Sequence, residues 1–120
     1  MKTPAIIFAV LACVAIAAIG LRFLVAPTPA TRDFGVRPDD ARALTAIKGV
    51  RDITSGIVPL VVLAAAGPHA FGWALTAAAI TPIGDAIIVT TNGGTLAHAL
   101  SVHAATALAL IAAGLILALA

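Results

Sequence analysis

Eight residues able to pair, bind or exchange protons lie within or at the ends of apolar stretches: Arg22, Lys48, Arg51, Asp52, Ser55, Asp85, His98 and His103. Asp85 is the most telling, because residues 70–89 otherwise read as a membrane-crossing segment. An ionisable side chain near the middle of a bilayer costs about 3 kcal/mol on insertion scales, so it pairs, lines a wet cavity or does chemistry. Two chemistries fit these residue types. An arginine and aspartates can anchor the polar end of a lipophilic or amphiphilic molecule, and a carboxylate or imidazole in a low-dielectric pocket beside a cation can act as general acid or base. Asp85, Asp52 and His103 are the candidates for proton transfer.

The densest part of this set is Lys48-Gly49-Val50-Arg51-Asp52-Ile53-Thr54-Ser55-Gly56. On a helix, Lys48, Asp52 and Ser55 share one face, and Arg51 shares an adjoining face with Ser55. Lys48 and Asp52 can pair within the helix, which leaves Arg51 to reach another helix. Its expected partner there is Asp85, since a guanidinium holds a carboxylate bidentately. Pro59 and Pro82 cannot donate to the carbonyls of Ser55 and Ala78, so each frees a backbone acceptor and favours a kink. Gly56 and Gly84 lie beside these breaks, and irregular backbone in a membrane is tolerated where it meets protein or water. A small cavity opening toward the cytoplasm is therefore expected.

Other chemistries find less support. His98 and His103 are five positions apart, about 140° round an α-helix, so they are not expected to face one ligand as an i, i+4 pair would. No metal site and no cofactor are expected, and no P-loop, dinucleotide fingerprint or Gly-x-Ser-x-Gly occurs. The single cysteine allows no internal disulfide. Cys13 follows Ala5 and Ala9 and precedes Ala17 at a helical spacing that reads as a small-residue packing face. A purely structural role also fits the charges: Arg22 and Lys48 can snorkel to headgroups, and an Arg-to-Asp bridge can serve helix registry alone.

The elements that must position these residues follow from composition. Of 120 residues, 62% are hydrophobic and 10% charged, against about 25% charged in a soluble domain. An all-α integral membrane protein is expected, a four-helix transmembrane bundle in a single domain, with spans at about 5–25, 43–66, 70–89 and 95–119. Gly67-Pro68 and Asn92-Gly93-Gly94 separate the later spans, and no period-2 alternation supports a barrel. The apolar run continues through residue 25 without a polar mature start, so an uncleaved span is expected rather than a signal peptide.

The polar loop, residues 27–42, has readable local chemistry. Thr28 is expected as N-cap of a short helix with Pro29 at its first position, and Gly35 suits its left-handed end. Phe34 is then free to dip into the interface. Pro38-Asp39-Asp40 opens the second span with an acidic cap. Arg32, Arg37 and Arg42 put loops one and three on the cytoplasmic side of the cell membrane and both termini outside. By depth, Arg22, Asp52, Asp85 and His98 then belong to the same half of the bilayer. The net charge of +2 gives no reason to expect nucleic acid.

Gly20-Leu21-Arg22-Phe23-Leu24 with Pro27, Phe34-Gly35-Val36, Lys48-Gly49-Val50-Arg51-Asp52 with Gly56, Pro82-Ile83-Gly84-Asp85 and His103 resemble a family of small four-span membrane proteins. The family is described as a domain of unknown function (DUF4267) and is distantly similar to DoxX-like membrane proteins. The resemblance implies a four-helix bundle without an established activity, and it singles out Arg22, Lys48, Arg51, Asp52, Asp85 and His103. Three functions stay open: binding of a small lipophilic or amphiphilic molecule, a membrane-embedded isomerase or cyclase using Asp85 or Asp52, and an accessory subunit or homo-oligomer packed through small residues.

Overall fold

Alanine, leucine and their apolar neighbours favour helix and lack the alternation of a strand. The computed structural model describes residues 2–120, and all regular structure among them is helical. In chain order the elements are α1 (Lys2–Val25), α2 (Pro27–Phe34), α3 (Ala41–Ala78), α4 (Ile80–Thr91), α5 (Leu96–His98), a π-helix (Ala99–Ala104) and α6 (Ala105–Leu119). Three helical stretches are long and apolar enough to cross a membrane: Lys2–Val25, Ala41–Thr91 and Leu96–Leu119. The second and third expected spans thus fall within one helical stretch of 51 residues. Two compact units divide the chain, Met1–Lys48 and Gly49–Ala120.

In the first unit α1 passes almost directly into α2. The break is Ala26, at φ −141° and ψ 65°, and it occupies the N-cap position ahead of Pro27. The cap is therefore not Thr28, as expected from the sequence. Pro27 itself takes the first turn, where its missing N–H would be unsatisfied anyway. Ala30 and Thr31 are buried, and the Thr31 hydroxyl donates to the Pro27 carbonyl at 2.7 Å.

Gly35 closes α2 in the left-handed conformation, at φ 109°. Its N–H bonds the Arg32 carbonyl at 3.0 Å while the Val36 N–H reaches back to Thr31 at 3.3 Å, the double closure of a Schellman motif. Phe34 packs edge-on against Phe23 with ring centroids 6.2 Å apart, yet it stays exposed. Downstream, the Asp40 carboxylate accepts from the Ala43 N–H at 3.0 Å and caps α3 as its sequence position implied. Cys13 is exposed.

The second unit depends on Gly67. Its φ of 81° and ψ of −177° lie outside the helical region, in a range that a residue with a Cβ rarely adopts. Pro68 then starts a new helical turn without needing an N–H donor. Pro59 behaves differently, because the helix continues through it without interruption. At Pro82 the expected break is present: α3 ends at Ala78, whose carbonyl Pro82 cannot satisfy, and α4 starts at Ile80. A turn at Asn92–Gly93, with Gly93 at φ 87°, leads to Thr95, whose hydroxyl accepts from the His98 N–H at 3.1 Å.

Small residues make the closest packing. A Cβ on Gly72 would run into the Gly114 carbonyl and the Ala118 backbone, and one on Gly114 would meet the Thr76 hydroxyl and the Gly72 carbonyl. Gly72-x-x-x-Thr76 and Gly114-x-x-x-Ala118 thus form a small-residue crossing in which backbones approach directly. Among the described residues the buried apolar side chains are alanines, with Pro59 and Pro82, while large side chains such as Phe8, Leu24, Ile80 and Leu119 face outward. Such a surface suits lipid, not water.

Gly72→Val and Gly114→Val are each expected to destabilise the protein by about 1–3 kcal/mol, the usual range for overpacking. Denaturation in mixed micelles followed by Trp73 fluorescence measures this. Gly20→Ala, with open space around its Cβ, is the control that should not lose stability.

Candidate functional site

Arg51 lies 16 positions before Gly67 and Asp85 lies 18 after it. Chain reversal at Gly67 brings the two together. The guanidinium donates from Nη1 to Oδ1 of Asp85 at 3.2 Å and from Nη2 to Oδ2 at 3.1 Å, a bidentate pairing of planar groups. The same guanidinium also reaches Asp52, donating from Nε at 3.2 Å and from Nη2 at 3.0 Å to Oδ1. One cation therefore holds two carboxylates. Helical spacing alone leaves Arg51 for Asp85, yet it holds both, because its side chain is long enough to curl back on its own helix.

The three groups differ in exposure. Asp85 is 17% exposed, against 40% for Arg51 and 47% for Asp52. Asp85 is thus the carboxylate most dependent on its partner, and Arg51 is the only residue to which it hydrogen-bonds among those described. Removing Arg51 would leave Asp85, the least exposed of the three, without its hydrogen-bond partner, whereas removing Asp85 leaves Arg51 still paired with Asp52.

Ser55 lies one helical turn beyond Arg51 and is half-buried. It lines a groove of about 340 Å³ with Val58, Pro59, Ala74, Ala77 and Ala78, the walls coming from the two sides of the Gly67 reversal. The Ser55 hydroxyl has no hydrogen-bond partner among the described residues, and Pro59 leaves the Ser55 carbonyl without its usual helical donor. An apolar slot with an available hydroxyl and carbonyl is a common form of small-molecule site.

The histidines overturn one expectation. His98 and His103 make an edge-on contact with ring centroids 5.9 Å apart, so they share a face. The π-helix is the cause: the Ala105 N–H donates to the Leu100 carbonyl, five residues back, and this wider turn sets residues five apart above one another. The 140° separation holds only for an α-helix. Neither imidazole hydrogen-bonds to Asp85 or Ser55 among the described residues.

The remaining candidates lie in the first unit. Arg22 pairs with Asp33 at 2.6 Å, and both line a groove of about 370 Å³ with Ile19, Phe23, Ala30 and Phe34. Asp33 was not singled out from the sequence; its position on the short helix that follows Arg22 was the available signal. Lys48 is the last residue of that unit.

Fold and composition define an all-helical protein with stretches apolar enough to cross a membrane. Residues 13–117 match the family described as Domain of unknown function (DUF4267), and the chain belongs to that family. No curated protein and no solved structure matches it.

A double-mutant cycle on Arg51→Gln and Asp85→Asn is expected to give a coupling free energy of about 0.5–3 kcal/mol, with the double variant more stable than either effect summed. Unfolding in micelles reports it. Simple additivity would show that the bidentate pair contributes nothing to stability.

Proposed function

We propose that this chain is a four-span membrane protein, DoxX-like in architecture, that binds a small lipophilic or amphiphilic molecule. The apolar part of the ligand lies in the groove beside Ser55, and its polar end engages Arg51 near Asp52 and Asp85. The observation that carries this reading is the adjacency of a charged fork and an apolar slot one helical turn apart, with the Ser55 hydroxyl available between them.

The four crossings rest on length. As one straight helix the 51-residue stretch Ala41–Thr91 would be about 76 Å long, more than twice a hydrocarbon core of about 30 Å. Doubling back at Gly67 turns it into two passes. With the basic first loop in the cytoplasm, the ionic site opens toward that side. Asp39→Cys in a Cys13→Ala background should then react with an impermeant maleimide only after the cells are opened; labelling of intact cells would reverse the orientation.

Native mass spectrometry of the purified protein is expected to reveal a bound amphiphile, lost in Ala77→Phe, which fills the groove, and weakened in Arg51→Gln. A protein that carries no adduct, or that carries the same adducts in both variants, would refute the binding reading. A second reading, an isomerase or cyclase, is supported by the low exposure of Asp85. Its mark would be Asp85→Asn protein that keeps the ligand but leaves it unconverted.

A further inference from the structure

A π-turn is an uncommon feature of helices and concentrates at functional sites. Here it runs Ala99–Ala104 and is flanked by α5 and α6. What it changes is the relation of His98 to His103, which would point apart on a regular helix and are instead in contact. We propose that these two imidazoles form an open chelating site for a late first-row transition-metal ion, with copper bound most tightly.

The chemistry follows from the donors. Neither ring has a hydrogen-bond partner among the described residues, so each neutral imidazole has a nitrogen lone pair to offer. With centroids 5.9 Å apart, the two rings are close enough for one ion to bond a nitrogen of each at about 2.0–2.1 Å. His98 is exposed and His103 half-buried, which gives an ion an approach.

Imidazole pairs suit copper, nickel and zinc, and affinity rises to copper along that series, whereas magnesium and calcium require oxygen donors. No group of three or more His, Cys, Asp or Glu among the described residues is arranged around an ion. The protein therefore supplies two ligands and leaves the other positions to water or an exogenous donor, as an exchangeable or reactive ion requires. This site departs from the sequence-based expectation that the chain holds no metal. It is separate from the Arg51 cluster and stands whether or not a lipophilic ligand binds there.

The test uses the full chain, free of any polyhistidine tag, in micelles titrated with Cu²⁺, Ni²⁺, Zn²⁺ and Mg²⁺. One equivalent of Cu²⁺ is expected to bind with two nitrogen ligands resolved by electron paramagnetic resonance, more tightly than Ni²⁺ or Zn²⁺, with no response to Mg²⁺. His98→Gln and His103→Gln should each weaken Cu²⁺ binding at least about tenfold, since two-point chelation becomes single attachment. His69→Gln, a histidine beside Trp73 instead, should bind as the unaltered chain does. Circular dichroism checks that the variants remain helical. Binding undiminished in both single variants, or a signal with one nitrogen ligand that disappears in His69→Gln, would overturn the assignment.

Discussion

In an almost wholly apolar chain, a carboxylate must be balanced by a charge of opposite sign close by, and the guanidinium of Arg51 does this for Asp85. The geometry is demanding: two nearly parallel N–H bonds must meet two oxygens from a residue 34 positions away. That requirement fixes how far the chain can slide where it doubles back. It also explains why Gly67 must leave the helical region, since a continuous helix would carry the two residues in opposite directions. The groove walls, with residues 54–59 facing 74–78, follow from the same register.

Packing and polarity divide the work in the second unit. At the Gly72 and Gly114 crossing, backbones meet without side chains between them, which brings dispersion contacts and carbonyl dipoles close. Elsewhere the unit keeps polar atoms in hand. Thr54, Thr76, Thr90 and Thr106 each donate to a carbonyl on the preceding turn and so spend their hydroxyls locally. Ser55 does not, so its hydroxyl is available to a ligand in the groove it lines.

Much of this was legible in the sequence wherever a single residue type forces a backbone event. Gly67-Pro68, Asn92-Gly93-Gly94, the cap Asp40 and the left-handed Gly35 act through local stereochemistry, and the structure has all of them. The Arg51 and Asp85 pairing was also legible, because charge complementarity leaves few alternatives in so apolar a chain. The close crossing was not: Gly72 and Gly114 sit among many alanines, and nothing local distinguishes the small residue that touches backbone from the one that faces outward. The histidine pair was misplaced for a different reason. A period of 3.6 residues points the two rings apart, and no single residue announces that a turn will widen.

The absence of any large fully buried side chain among the described residues reverses the familiar logic of core mutation. Most proteins are weakened by trimming their interior, since a cavity opens where a leucine or phenylalanine stood. An interior made mostly of alanine, glycine and proline has little left to trim. Its vulnerability runs toward addition: each extra methyl group at a crossing must push two backbones apart, while truncations on the outer face leave the fit between helices untouched. Variation in such a chain is free to change what faces the lipid and is barred from adding bulk at the crossing.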